Sequence, residues 1–251
     1  MNLLLDTTIQ IDRFLSSKER KEAINDVLKD NTLYSSTYVL GEYYNLINDF
    51  LTLYSLFIRD KDIAETGRHI TEKTFGRSQS RVQKLYSNII GWCDYDVNLI
   101  IDSLDNFLVQ IVNVFTYKLE MPLINCTDCA RAKQEINYDE EVPMLKKVRC
   151  RKNTDVCKIC NFWNIRKEEL DNLLTVNTNQ KFMDILHMGK NKIEEFKGDN
   201  CKAIGDVIIC LETKELENDT AVCSSNKKDF KPICDCLKIE LKSPNYREKE
   251  K

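Results

Sequence analysis

Four carboxylates stand in contexts where an acid is costly unless it is paired or ligates a cation. Asp6 halts the apolar run Leu3-Leu4-Leu5. Glu42 lies among Val39, Leu40, Tyr43 and Tyr44. Asp206 is set in the apolar stretch Ala203 to Leu211. Asp229 follows the short run Thr220-Ala221-Val222-Cys223. Oxygen donors of this kind suit a hard divalent cation, Mg2+ or Mn2+, which keeps several waters. Such a cation activates water and offsets the charge that builds during in-line phosphoryl transfer. A second group of residues suits a softer ion. Cys126-Thr127-Asp128-Cys129 and Cys157-Lys158-Ile159-Cys160 form two CxxC pairs. Two thiolates separated by two residues fold back onto one ion, and a second pair completes a tetrahedral structural Zn2+ site. Cys150 lies close enough to take the place of one member.

Each feature also has a plainer reading. Asp6 fits a helix cap, Glu42 and Asp206 fit half-exposed helix positions, and Asp229 fits a turn. One CxxC pair alone could be redox-active or simply buried. A structural zinc site, for its part, mainly supplies folding free energy that a small core lacks.

The elements that must position these residues follow from the hydrophobic pattern. Residues 2–5 read as a buried parallel strand, because a short apolar run bounded by polar residues has that signature. A helix is expected from about Thr8 to Leu28, a short strand at 32–35, and a helix opening at Ser36 or Thr37 that carries Glu42 on its second turn. Residues 51–119 read as mostly helical. Residues 120–163 hold two Pro, five Cys and dense charge, and look like an inserted irregular module. Helical periodicity returns from Ile165 to Phe196. Gly198-Asp199-Asn200 signals a break and a cap, a helix bearing Asp206 follows, then a strand at 220–223 and a last strand at 237–241. Strand–helix alternation at both ends predicts an α/β sheet with a helical insertion. In such sheets ligands bind at the carboxyl ends of the strands, where Asp6 and the segment from Ser224 to Asp229 fall.

The sequence resembles the PIN-domain ribonucleases at four places: Leu5-Asp6-Thr7, Gly41-Glu42-Tyr43, Gly205-Asp206-Val207-Ile208, and Ser224-Ser225-Asn226-Lys227-Lys228-Asp229-Phe230. The last is the most specific. The resemblance implies a PIN-like central parallel sheet flanked by helices, formed by residues 1–58 and 196–242, and a metal-dependent endonuclease that usually acts on RNA and often serves as a toxin. Asp6, Glu42, Asp206 and Asp229 would be the metal-site acids, with Ser224 and Asn226 as supporting polar groups. The interval from Glu42 to Asp206 is far longer than the family's, so residues 59–119 and 164–195 are expected to form a helical insertion and residues 120–163 a zinc-ribbon-like module. Asn226 stands where the family often has Asp. Residues 243–251 are expected to fray.

Composition narrows the alternatives. A net charge of −3 gives no global nucleic-acid signature, so any such contact must be local. One local basic set is Lys146, Lys147, Arg149, Arg151, Lys152 and Lys158, beside the acidic run Asp139-Glu140-Glu141. Another is Arg68-His69, Lys73, Arg77, Arg81 and Lys84, interleaved with Phe75 and Tyr86, which could hold an RNA backbone and stack a base. A solvated charged face is the plainer reading of both. The two histidines, His69 and His187, have no catalytic spacing, which disfavours histidine-based mechanisms. No GxGxxG or Walker-type loop argues for a nucleotide cofactor. No secretory leader or membrane-spanning run is visible, so a cytoplasmic location is expected, and there eleven cysteines fit metal ligation and core packing better than disulfides. Cys93, Cys201, Cys210, Cys223, Cys234 and Cys236 are read as mostly core residues.

The leading reading is an endoribonuclease that hydrolyses RNA, in preference to DNA, with a water activated by Mg2+ or Mn2+ at the carboxylate cluster. The alternative is a catalytically inactive PIN-like module that docks RNA or protein through the zinc insertion. A third reading is a toxin-like nuclease held inactive by a protein partner; assembly with a second copy is also compatible.

Overall fold

The computed structural model describes residues 1–73, 76–117, 123–138, 143–148, 150, 158–175, 180–196, 198–217 and 219–246. In chain order the elements are β1 (Asn2–Leu5), α1 (Thr7–Leu15), α2 (Lys18–Leu28), β2 (Thr32–Tyr34), α3 (Thr37–Asp60), α4 (Ile63–Lys73), α5 (Gly76–Trp92) and α6 (Val97–Tyr117). Then come β3 (Glu135–Asn137), β4 (Met144–Lys146), α7 (Ile159–Ile165), α8 (Lys167–Leu173), α9 (Gln180–Asn191), α10 (Gly198–Ala203), α11 (Gly205–Thr213), β5 (Thr220–Cys223), α12 (Lys227–Leu237) and β6 (Glu240–Lys242). The chain divides into two compact units. One comprises residues 1–43, 119–133 and 148–251, the other residues 44–118 and 134–147.

The first unit is α/β. Its sheet has four parallel strands in the order β2-β1-β5-β6. Leu3 pairs with Leu33 on one side and Ala221 on the other, and Leu5 pairs with Cys223. Side chains alternate across a strand. Leu3, Leu5, Ala221 and Cys223 therefore form one core with Ile9, Ile24 and Leu28 of α1 and α2. Leu4 and Val222 point to the other face and are fully buried. There α11 lies against β1 and β5, presenting the buried Val207, Ile208 and Leu211. The chain leaves β1 toward β2 on one side, while β5 joins β1 on the other. The carboxyl ends of β1 and β5 thus form a topological switch point, the place where α/β sheets open a crevice.

Three boundaries differ from the sequence expectation, each for a local reason. The helix expected over 8–28 breaks at Ser16-Ser17, where the Ser17 hydroxyl accepts the Arg20 N–H and caps a new helix. Ile204 interrupts the helix expected across 203–211. The last strand begins at Glu240, because α12 runs on to Leu237 and ends at Lys238 in a left-handed cap with φ 56°. Tyr246 lies under the Arg20 guanidinium, 4.1 Å from ring centroid to charge, so the chain stays docked beyond the last strand.

The second unit holds residues 44–60 of α3 with α4, α5, α6 and the antiparallel pair β3-β4. Here two arginines of the basic set are engaged internally. Arg68 pairs with Glu65 and Glu72, and Arg81 with the buried Asp49. Tyr86 stacks on Phe57 and donates its hydroxyl to the Ile63 carbonyl at 2.6 Å, so its ring is committed to the core. Phe75 lies outside the described residues. No helix among the described residues is long and apolar enough to cross a membrane.

Because β1 is paired on both edges and Leu4 is fully enclosed, Leu4→Ala is expected to cost about 2–5 kcal/mol. The check is a urea midpoint that falls at an unchanged m-value.

Candidate metal centre

Asp6 leaves β1 at the switch point and occupies the N-cap position of α1, yet its side chain makes no capping bond. Its Oδ2 instead accepts the Thr8 hydroxyl at 2.5 Å and the Ser224 hydroxyl at 2.7 Å. Ser224 is fully buried at the end of β5 and also receives the Asn226 N–H at 3.0 Å. The two strand ends are tied further by the Asp6 N–H, which donates to the Cys223 carbonyl at 2.9 Å. The plain helix-cap reading of Asp6 is therefore insufficient: the carboxylate is only 3% exposed and reaches across to the neighbouring strand.

Glu42 reaches the same place from α3. Its Oε2 accepts the Thr7 hydroxyl at 2.7 Å. Asp206 arrives on the first turn of α11, which approaches closely because residue 205 is glycine. A Cβ there would stand 2.7 Å from the Tyr38 hydroxyl and 3.2 Å from Glu42 Oε1. Asp229 sits exposed on the first turn of α12, its Oδ2 accepting the Asn226 side-chain amide at 2.8 Å. All four acids, with Ser224 and Asn226, thus gather around the carboxyl ends of β1 and β5.

The electrostatics report the same convergence. Burial pushes Asp6 up to about 6, the Thr8 and Ser224 hydroxyls oppose this, and the charge of Glu42 adds to it. Burial pushes Asp206 up to about 7, with Asp6, Glu42 and Asp229 all repelling its negative form. A cluster of acids that raise one another is what a cation relieves, and the donors are hard oxygens of the type Mg2+ and Mn2+ select. Among the described residues, however, no group of three or more His, Cys, Asp or Glu side chains stands ready-placed around an ion. Hydroxyl and amide donors hold one oxygen each on Asp6, Glu42 and Asp229.

The cysteines have varied surroundings. Cys157 lies outside the described residues. Burial, helped by the charge of Glu212, pushes the Cys126 thiol up to about 12. The Cys160 sulfur lies 4.0 Å from the Ile193 carbonyl oxygen. The half-buried Arg131 guanidinium hydrogen-bonds the Cys129 sulfur. Cys234 finds a partner the sequence did not suggest, its sulfur 3.6 Å from that of Cys210 in the core. Of the basic residues near the cysteines, Lys146 pairs with Glu135 and Lys158 with Asp128, while Arg149, Arg151 and Lys152 lie outside the described residues.

A fifth acid went unread in the sequence. Glu212 is fully buried, and burial pushes it up to about 8 against hydrogen bonds from Ser36 and Thr127. Thr127 Oγ1 donates to Oε1 at 3.3 Å, while Oε2 has no hydrogen-bond partner among the described residues. The signal was present: Glu212 closes the same apolar run, Val207 to Leu211, that made Asp206 conspicuous.

These shifts fix a pH dependence. An acid whose folded pKa is raised leaves stability intact below its ordinary value and removes it as pH rises through the folded value. For Asp206 that window runs from 3.8 to about 7. In chelator at pH 8, Asp206→Asn is expected to stabilise the protein by roughly 2–4 kcal/mol, a rise of several degrees in thermal midpoint that vanishes near pH 4. Glu212→Gln is expected to behave alike over a window from 4.5 to about 8. Thermal melts across pH check both. No protein-family model, no curated protein and no solved structure matches the chain.

Proposed function

We propose that this chain is a metal-dependent endonuclease of the PIN type that hydrolyses RNA. One observation carries the reading: four acids from separate stretches of sequence meet at the switch point of a parallel sheet, so closely that three of them raise the pKa of the fourth. The coarse fold, a four-stranded parallel sheet flanked by helices, is compatible with it. The preference for RNA rests on the sequence resemblance.

The donor set fits Mg2+ or Mn2+, held by Asp6, Glu42 and Asp206 with Asp229 at the open rim. Such an ion supplies charge stabilisation to the phosphoryl group and lowers the pKa of a nucleophilic water. The protein's own contribution is placement. Thr8 and Ser224 orient the Asp6 carboxylate, and Thr7 orients Glu42. Asp229 is exposed and tethered by Asn226, so it borders the entrance. Lys227 and Lys228, exposed on the same turn of α12, offer positive charge to the flanking phosphates where the acids would otherwise repel a polyanion.

Purified protein incubated with end-labelled single-stranded and structured RNA is expected to cut in Mg2+ or Mn2+, leaving a 5′-phosphate and a 3′-hydroxyl, and to stop in EDTA. Losing even an outer-shell partner of a metal site costs about 10–100-fold, so Asp6→Asn is expected to lower the rate by roughly 100-fold or more while the protein stays folded. Cleavage that survives EDTA or Asp6→Asn contradicts the mechanism. Tight RNA binding without cleavage supports the non-catalytic module instead.

A further inference from the structure

Residues 243–246, expected to fray, return instead to the strand end that carries Ser224. The Ser224 N–H donates to the Lys242 carbonyl at 3.1 Å, and the Ser243 hydroxyl donates to the Ser224 carbonyl at 2.6 Å. Both backbone groups of Ser224 are thus held by the chain at and just past the end of β6. Pro244 is buried, and Tyr246 packs on the core formed by Leu3, Leu5, Ile9 and Ile24. A second set of bonds meets on one oxygen of α1. Asp12 Oδ2 accepts the Arg20 guanidinium at 2.7 and 3.1 Å, the Ser225 hydroxyl at 3.2 Å and the Tyr246 hydroxyl at 3.3 Å. Asp12 stands four residues after Thr8, on the same face of α1. Thr8 accepts the Ser225 N–H at 3.4 Å and donates to Asp6.

We propose that Asp12, braced by Arg20 and Tyr246, is a positioning residue that fixes the Ser224–Asn226 turn and so sets the Asp6 and Asp229 carboxylates for cation binding. Asp12 acts through Ser225, and the turn then reaches both acids: the Ser224 hydroxyl donates to Asp6, and the Asn226 amide donates to Asp229. A turn free to move would have to be ordered when the ion binds, which lowers affinity. This turn is fixed beforehand, from α1 on one side and from the chain after β6 on the other. The effect on the cation rests on the metal reading of the site, whereas the bracing of the turn does not.

Amide exchange and Mn2+ binding, both on the full-length protein, test the proposal. Asp12→Ala is expected to speed exchange at the Ser225 and Asn226 amides by roughly 10-fold or more, with the Val222 amide inside β5 unchanged. The same variant is expected to weaken Mn2+ binding by roughly 10-fold. Asp12→Asn keeps an acceptor for Ser225 and Tyr246 and is expected to recover most of both losses. Tyr246→Phe removes one hydroxyl while keeping the ring under Arg20, and is expected to speed exchange at the same two amides to a smaller extent. Exchange in Asp12→Ala that is unchanged at the turn, or that rises equally at Val222, overturns the positioning role. Mn2+ affinity unchanged in Asp12→Ala, where wild type binds the ion, overturns it as well. Wild type that takes up no Mn2+ overturns the metal reading instead, and exchange at the turn still decides whether Asp12 fixes it.

Discussion

The contact on which the first unit turns is the hydrogen bond from the Ser224 hydroxyl to the buried Asp6 carboxylate. It joins the ends of two neighbouring parallel strands whose residues are more than 200 apart in sequence. A carboxylate this deep is expensive without donors, and Ser224 and Thr8 supply them. Ser224 can do so only because β5 pairs with β1 in the register that sets Leu5 beside Cys223. Sheet register and site geometry are thus one constraint: a slip of one residue would turn Leu3 and Leu5 out of the core and move Ser224 away from Asp6 together.

The remaining acids are brought to Asp6 by devices of different kinds. Glu42 comes by helical phase, on the second turn of α3, and is held by Thr7 from α1. Asp206 comes by close approach, since only a residue without a Cβ leaves room for the Tyr38 hydroxyl at position 205. Asp229 comes by a turn, anchored through Asn226 and Ser224. Their mutual repulsion is a cost that the fold carries at neutral pH. Protonation of Asp206 relieves it in part, and so would a bound cation. Lys227 and Lys228 lie at the exposed edge, where a negatively charged polymer would first meet the site.

Much of this was legible in the sequence. Apolar runs that stop on polar residues marked β1 and β5, and acids inside apolar stretches marked Asp6, Glu42, Asp206 and Asp229. Boundaries were less legible where two signals overlapped. Leu237, Ile239 and Leu241 alternate as a strand would, but Leu237 also closes the apolar side of α12, and the left-handed Lys238 decides the matter. The roles of Thr7, Thr8 and Tyr38 were invisible, because a hydroxyl's partner depends on tertiary approach and not on spacing. The approach of Cys210 to Cys234, and the cavity that collects Cys129, Cys150 and Cys201, were equally invisible, because each joins distant segments. Arg68 shows the same limit, since its charge is spent on Glu65 and Glu72 within its own helix.

The central claim is that the four acids act as one cation site. Mn2+ binding to the chelator-treated protein, followed by electron paramagnetic resonance of the free ion, measures that directly and independently of any substrate. The account predicts saturable Mn2+ uptake that Mg2+ displaces and that Asp206→Asn weakens by roughly 10-fold or more, with Glu212→Gln binding as wild type does. Uptake that is absent, or unchanged in Asp206→Asn, would contradict it.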